Sequence, residues 1–96
     1  MADLEAVYRQ DPSIVSRNIA GEMILVPIRN NVGDLESIYT LNETAARIWE
    51  LLDGERTLQA VRDAIADEFE VEADEATTDM LELIAQLESV GAVRVG

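Results

Sequence analysis

The chain has 96 residues, enough for one domain, and 48% of them are hydrophobic, so a modest core can form without disulfides. It has no cysteine, which excludes a disulfide framework, a thiol nucleophile and a cysteine-bound metal. It also has no histidine, and therefore lacks the usual general base and the usual transition-metal ligand.

The charge is strongly negative, with 20 acidic residues against 7 basic ones and a formal net charge of −13. Such a surface repels phosphate backbones, which disfavours nucleic acid as a partner. It either favours a basic partner segment or serves solubility alone. No apolar run reaches the roughly 20 residues that a membrane span needs, so we expect a cytoplasmic protein without a membrane partner.

The first part of the chain is β-rich. We expect residues 1–13 to form a flexible or weakly helical tail and residues 14–96 to form the folded domain. Ile14–Ala20 and Met23–Arg29 read as a hairpin with a tight turn at Gly21-Glu22. Pro27 cannot donate to a ladder, so its N–H side should face no partner. Glu36–Leu41 alternates in character and predicts a third strand.

Residues 41–54 read as one complete helix with both ends marked. Asn42 is a good N-cap, and Gly54 can close a helix in the left-handed conformation. An apolar stripe at helical spacing includes the only tryptophan, Trp49.

Two further helices follow, at about 58–69 and 74–90. Thr57 is a candidate N-cap for the former, and Gly91 ends the latter. Ala92–Val95 predicts a short final strand or an extended tail. The fold class is therefore α+β, a winged-helix-like arrangement with a three-stranded antiparallel sheet followed by three helices.

Catalysis has little support in these residues. The carboxylates are scattered over helix faces, where acids ordinarily serve solvation, and Glu68–Glu75 lacks the glycine-punctuated spacing of a calcium loop. The third helix carries only Gln86 as a polar side chain suited to reading DNA, so the winged-helix outline does not imply DNA binding. We predict no enzyme activity and no metal or other cofactor.

Peptide binding is better supported. The third strand is a candidate sheet edge whose free N–H and C=O groups could accept an extended peptide, with the third helix as a wall. Leu81 and Ile84 widen the apolar stripe of that helix and could supply pockets. The alternative is that both residues pack on the second helix.

The string Leu-Asn-x-x-Ala-x-x-Ile-Trp-x-Leu-Leu-Asp-Gly at residues 41–54 resembles the signature of the coenzyme PQQ synthesis protein D (PqqD) family. The Thr57-Leu58 opening, the connector at residues 68–71 and the long closing helix resemble the family too. Ala45 or Ala46 stands where relatives often show glycine. The resemblance covers about residues 14–95.

The resemblance implies a recognition element for the precursors of ribosomally synthesised, modified peptides (RiPPs). Such a peptide chaperone binds the precursor's leader as an added strand and presents it to a modifying enzyme, in PQQ biosynthesis a radical S-adenosylmethionine (SAM) enzyme. The implied peptide-binding residues are Ser37, Ile38, Tyr39 and Thr40 on the third strand and Thr77, Leu81, Ile84, Ala85 and Glu88 on the third helix. Two alternatives stay open, a winged-helix regulator and a dimerisation module that pairs the same edge with a second copy.

Overall fold

The hairpin predicted near the start of the chain is present, and its two turn residues have the backbone angles of a tight hairpin turn. The computed structural model describes residues 4–29, 32–33 and 39–96. Strands β2 (Ile14–Ile19) and β3 (Glu22–Arg29) pair antiparallel in continuous register from Ile19↔Glu22 to Ile14↔Pro27. The two connecting residues are Ala20 and Gly21, at φ +53° and +84°, so the turn lies one residue earlier than predicted. Two successive positive φ angles are typical of a tight hairpin turn that matches strand twist.

Two more strands lie on the other side of β3. Strand β5 (Tyr39–Leu41) pairs with Met23 to Leu25, and the two-residue β4 (Val32–Gly33) pairs with the end of β3. Pro27 lies between these two ladders, where its missing N–H leaves no bond unmade among the described residues. The predicted sheet is therefore present, and the remainder of the predicted third strand, residues 36–38, lies outside the described residues.

Three helices follow, as predicted: α1 (Glu43–Leu51), α2 (Leu58–Glu68) and α3 (Ala73–Ser89). The side chains of Asn42 and Thr57 cap α1 and α2 by accepting from the backbone N–H groups of Ala45 and Ala60. The helices bury one core whose largest member is Trp49, at 2% exposure. None of the three, within the described residues, is both long and apolar enough to cross a lipid bilayer. The chain is thus α+β, with helices packed against antiparallel sheets.

A second sheet, which the sequence pattern did not predict, brings the chain's two ends together. Strand β1 (Val7–Gln10) lies between β6 (Asp53–Thr57) and β7 (Val93–Val95), antiparallel to both. The prediction of a flexible or weakly helical tail is therefore wrong for Val7–Gln10, because Tyr8 enters the core at 6% exposure. Gln10 also donates from Nε2 to the Trp49 carbonyl at 2.7 Å, which ties β1 to α1.

The sequence suggested that Gly54 ends a helix, but in the structure it does not. Helix α1 stops at Leu51, and Gly54 lies in β6 at φ +82°. The pairing of β1 with β6 is irregular between Val7 and Arg9, and Gly54 falls in that irregular stretch. A Cβ at Gly54 would lie 3.3 Å from the Cβ of Arg9, so the position needs glycine for both its backbone angle and its close approach.

Candidate functional site

Strand β5 forms an edge of its sheet. It pairs with β3 on one side, and no other described strand pairs with its opposite side. Leu41 is buried at 1% exposure and Tyr39 packs against the core, whereas Thr40 between them faces solvent. The alternation fixes one face of β5 against the helices.

The hairpin register determines which backbone groups of β5 are free. In a two-residue hairpin the closing pair, here Ile19 and Glu22, exchanges both hydrogen bonds, and such pairs recur at every second residue. Alternate residues of β3 from Glu22 onward therefore bond to the β2 side, in agreement with the bond from the Ile28 N–H to the Ser13 carbonyl at 2.7 Å.

The intervening residues of β3 point the other way, toward β5. Met23 and Leu25 then exchange bonds with Leu41 and Tyr39, respectively. Thr40, opposite Ile24, occupies the non-bonded position of this ladder. Its N–H and C=O consequently point away from β3, toward the free edge.

A groove of about 360 Å³ lies between β5, the first turns of α1 and one flank of α3. Its floor contains the buried side chains of Ile48 and Leu83, and its rim is polar. The residues that line it are Tyr39, Thr40, Leu41, Asn42, Thr44, Ala45 and Ile48 on one side and Asp79, Glu82, Leu83 and Gln86 on α3. The groove thus runs beside the same strand whose edge is free.

Local structure at the start of α1 sets one end of this groove. The side-chain Oδ1 atom of Asn42 accepts a hydrogen bond from the Ala45 N–H at 2.8 Å, and the backbone carbonyl of Asn42 accepts one from the Ala46 N–H. Asn42 therefore stabilises the turn from β5 into α1, and this turn places Thr44 and Ala45 at the groove. The sequence predicted this capping role for Asn42 and the core position of Trp49, and both are confirmed.

Among the described residues that line the groove, the only charged ones are the acids Asp79 and Glu82. Asp79 and Glu82 are exposed on α3, and neither makes an ion pair with another described residue. The arginines that do pair lie elsewhere, as Arg47–Glu68, Arg56–Asp53 and Arg62–Asp63. None of the described residues that line the groove is an arginine.

The structure brings some predicted site residues together and separates others. Tyr39 and Thr40 line the groove, and Ser37 and Ile38 lie outside the described residues. None of the helix residues predicted for the site lines the groove: Thr77, Leu81, Ile84, Ala85 and Glu88. At 100° per residue they lie on the flank of α3 opposite to Asp79, Glu82 and Gln86, with the buried stripe between.

Contacts on that opposite flank explain the difference. Ile84 is 1% exposed and belongs to the core, and Leu81 packs against it. The Oε1 atom of Glu88 accepts from the Tyr8 hydroxyl at 3.4 Å, so this flank faces the second sheet. Sequence reasoning missed Asp79, Glu82 and Gln86 as groove residues, although their spacing of three and four residues gives a continuous polar stripe beside the core stripe.

Two solved structures are similar to the whole fold. One, "Lasso peptide synthetase B1 complexed with the leader peptide", is 27% identical, with a TM-score of 0.76, and the match covers 93% of this chain and 99% of that one. The other, "TbiB1 in Complex with the TbiA(beta) Leader Peptide", is 21% identical, with a TM-score of 0.74 and coverage of 90% and 94%, a likeness of fold alone.

The sequence profile of one family also matches. It is described as coenzyme PQQ synthesis protein D (PqqD), and it matches residues 22–93, about three quarters of the chain. A comparison with curated proteins gives no match. The matched range includes β3, β5 and all three helices, and hence every described element that forms the groove. The chain belongs to the PqqD family.

Proposed function

We propose that this protein is a non-catalytic adaptor that binds the leader segment of a ribosomally synthesised precursor peptide and presents it to a modifying enzyme. The observation that carries the proposal is the free edge of β5, where the N–H and C=O of Thr40 point outward beside the groove. Peptides commonly bind to such edges by adding a strand. The site of action would be the cytoplasm, where ribosomal precursors are made.

The comparisons support this proposal. A structure that is 27% identical over nearly its full length is a lasso peptide synthetase B1 complexed with a leader peptide. Membership of the PqqD family supports the same function, the binding of a leader peptide. We extend to this chain what that structure's name says of its own protein, namely the binding of a leader peptide.

Strand addition accounts for both affinity and register. The backbone of the leader would bond to Thr40, and this pairing does not depend on the leader's side chains. Side chains opposite Tyr39 and Leu41 would lie on the same face as those residues and enter the groove, while those opposite Thr40 would face away. A leader that is disordered when free loses entropy on binding, so we expect moderate affinity for the area buried.

Presentation to the enzyme needs no reactive group on the adaptor. Holding the leader near a modifying enzyme raises the effective concentration of the attached core peptide at that enzyme's active site. The proposal therefore assigns every bond-making step to the partner enzyme and assigns only recognition to this chain.

The test is an NMR titration of the isotope-labelled chain with the leader of the precursor peptide encoded beside its gene. We expect shifts of the amide signals of Tyr39, Thr40 and Leu41 and of α3 between Asp79 and Gln86. A leader with the same composition in scrambled order is the control. An absence of shifts with the genuine leader, or shifts confined to α2 and the β2 side, would contradict the proposal. Sedimentation of the free chain over a range of concentrations would show whether copies pair through the same edge.

A further inference from the structure

We infer that the leader bound in this groove carries a basic side chain that lies against Asp79 and Glu82 and, an even number of positions away, an apolar side chain that lies against Ile48 and Leu83. This inference rests on the proposed function, because it specifies the peptide that the β5 edge would accept. Its basis is the distribution of charged and apolar groups along the groove.

The strand geometry sets the spacing. Side chains of an added strand enter the groove at every second residue, about 7 Å apart. The groove offers an apolar floor at Ile48 and Leu83, which are 1% and 8% exposed, and an acidic rim at Asp79 and Glu82. Two side chains that both enter the groove lie an even number of positions apart on the added strand, and one can meet the apolar floor while the other meets the acidic rim.

Both acids precede Gln86 along α3. Gln86 is joined to Tyr39 by a hydrogen bond from the tyrosine hydroxyl, which marks one part of the groove. Glu82 and Asp79 lie about one and two helical turns before Gln86, roughly 6 and 10 Å along the helix axis. The acidic rim thus extends away from this bridge.

The two acids lack a basic partner within the described part of the chain. Both are exposed, neither is paired with a described arginine, and they lie three residues apart on one face of α3. The described residues also contain no group of three or more acids arranged to hold a metal ion. A guanidinium or ammonium group on the leader would relieve their mutual repulsion, and the net charge of −13 would speed the encounter with a basic peptide.

The experiment uses the full chain and a displayed library of random peptides of about ten residues. Peptides that bind and shift the Thr40 amide signal are sequenced. We expect arginine or lysine to be enriched at an even number of positions from an apolar residue. The same selection is repeated with the variant Asp79→Asn, Glu82→Gln, and with the control variant Glu55→Gln, Asp67→Asn, whose altered side chains are exposed and outside the groove.

A selected peptide containing arginine is then compared with its citrulline counterpart, which has nearly the same shape without the charge. For the unaltered chain and the control variant, we expect the citrulline peptide to bind about three- to tenfold more weakly. For the groove variant, we expect the two peptides to bind equally.

The outcomes separate the inference from the proposed function. Binders that shift the Thr40 signal without basic enrichment, or an equal citrulline effect in the groove variant and the unaltered chain, would overturn the inference and leave the adaptor function standing. A selection that yields no peptide acting on β5 would overturn both.

Discussion

The hydroxyl of Tyr39 on β5 donates a hydrogen bond to Oε1 of Gln86 on α3, and this bond joins the two walls of the groove. Both residues line the groove, and the bond lies at the protein surface. A strand and a helix that are far apart in sequence are thereby held side by side at the proposed peptide site.

Replacing Tyr39 by phenylalanine removes this bond and keeps the ring in place. Because an exposed hydrogen bond between neutral groups contributes little net free energy, we expect the free energy of unfolding to fall by less than about 1 kcal/mol. Leader affinity should change by less than about threefold, since strand addition uses the backbone of Thr40. Urea denaturation and a peptide titration measure the two effects. A loss of affinity well beyond tenfold would show that the hydroxyl itself contacts the peptide.

Tyr8 anchors the strand that the sequence did not predict. It is 6% exposed and pairs with Val95, which is 62% exposed. We expect Tyr8→Ala to lower the free energy of unfolding by about 3 kcal/mol, as for other buried aromatic side chains. The matched control Val95→Ala, on the neighbouring strand, should change it by no more than about 0.5 kcal/mol. If Tyr8→Ala proved as mild as its control in denaturant unfolding, β1 would not be part of the folded core.

We expect the same tyrosine to make the stability of the folded state fall in alkali. Burial raises the pKa of Tyr8 above its ordinary value of 10.0, and the nearby Glu88 carboxylate, which also accepts its hydrogen bond, raises it further. The folded state therefore favours the neutral hydroxyl. This contribution to stability is fully present below the unfolded pKa and is lost as pH rises through the raised folded pKa.

We expect unfolding titrations between about pH 9 and 11 to show a steeper loss of stability for the unaltered chain than for Tyr8→Phe. Glu88→Gln should lie between them, because it removes the charge and leaves the burial. Identical slopes for the unaltered chain and Tyr8→Phe would contradict the assignment.

Gly54 and Gly21 share a backbone conformation and differ in their surroundings. Both have φ above +80°, but a Cβ at Gly21 would meet nothing within 4 Å, whereas one at Gly54 would lie 3.3 Å from Arg9. We expect alanine at Gly21 to cost about 1 kcal/mol from backbone strain alone and alanine at Gly54 to cost about 2 kcal/mol. Thermal or urea unfolding of the two variants would compare them. An equal cost would show that the close approach of Arg9 is relieved without penalty.

The helices and the central hairpin could be predicted because their signals are local. Asn42 and Thr57 each precede a segment with apolar residues at helical spacing, and each caps its helix in the structure. Strands β1 and β6 carry no such signal. Each is stabilised by a partner that is distant in sequence, as in the pairs Val7↔Thr57 and Tyr8↔Val95, and neither shows a clean alternation of polar and apolar residues.

The sequence pointed to the strand that lines the groove and to a different flank of α3 from the one that lines it. The family resemblance pointed to the third strand, and Tyr39 and Thr40 do line the groove. On α3, the apolar surplus at Leu81 and Ile84 suggested pockets. The structure instead places Ile84 in the core at 1% exposure, and Glu88, one turn later on the same flank, accepts a hydrogen bond from Tyr8 of the second sheet. Which flank of an amphipathic helix faces a groove depends on the layers packed around it, and periodicity alone does not contain that information.

Strand addition at β5 depends most on the outward-pointing N–H of Thr40, and proline at this position removes that N–H. Because the N–H has no role in the ladder with β3, Thr40→Pro should keep the fold, as circular dichroism and urea unfolding would check. The control Thr40→Val changes the side chain and retains the N–H.

The decisive measurement is the affinity of both variants for the leader peptide by calorimetric titration. We predict that Thr40→Val binds within about threefold of the unaltered chain and that Thr40→Pro, while folded, binds at least about tenfold more weakly. Equal binding by folded Thr40→Pro and Thr40→Val would contradict strand addition at this edge.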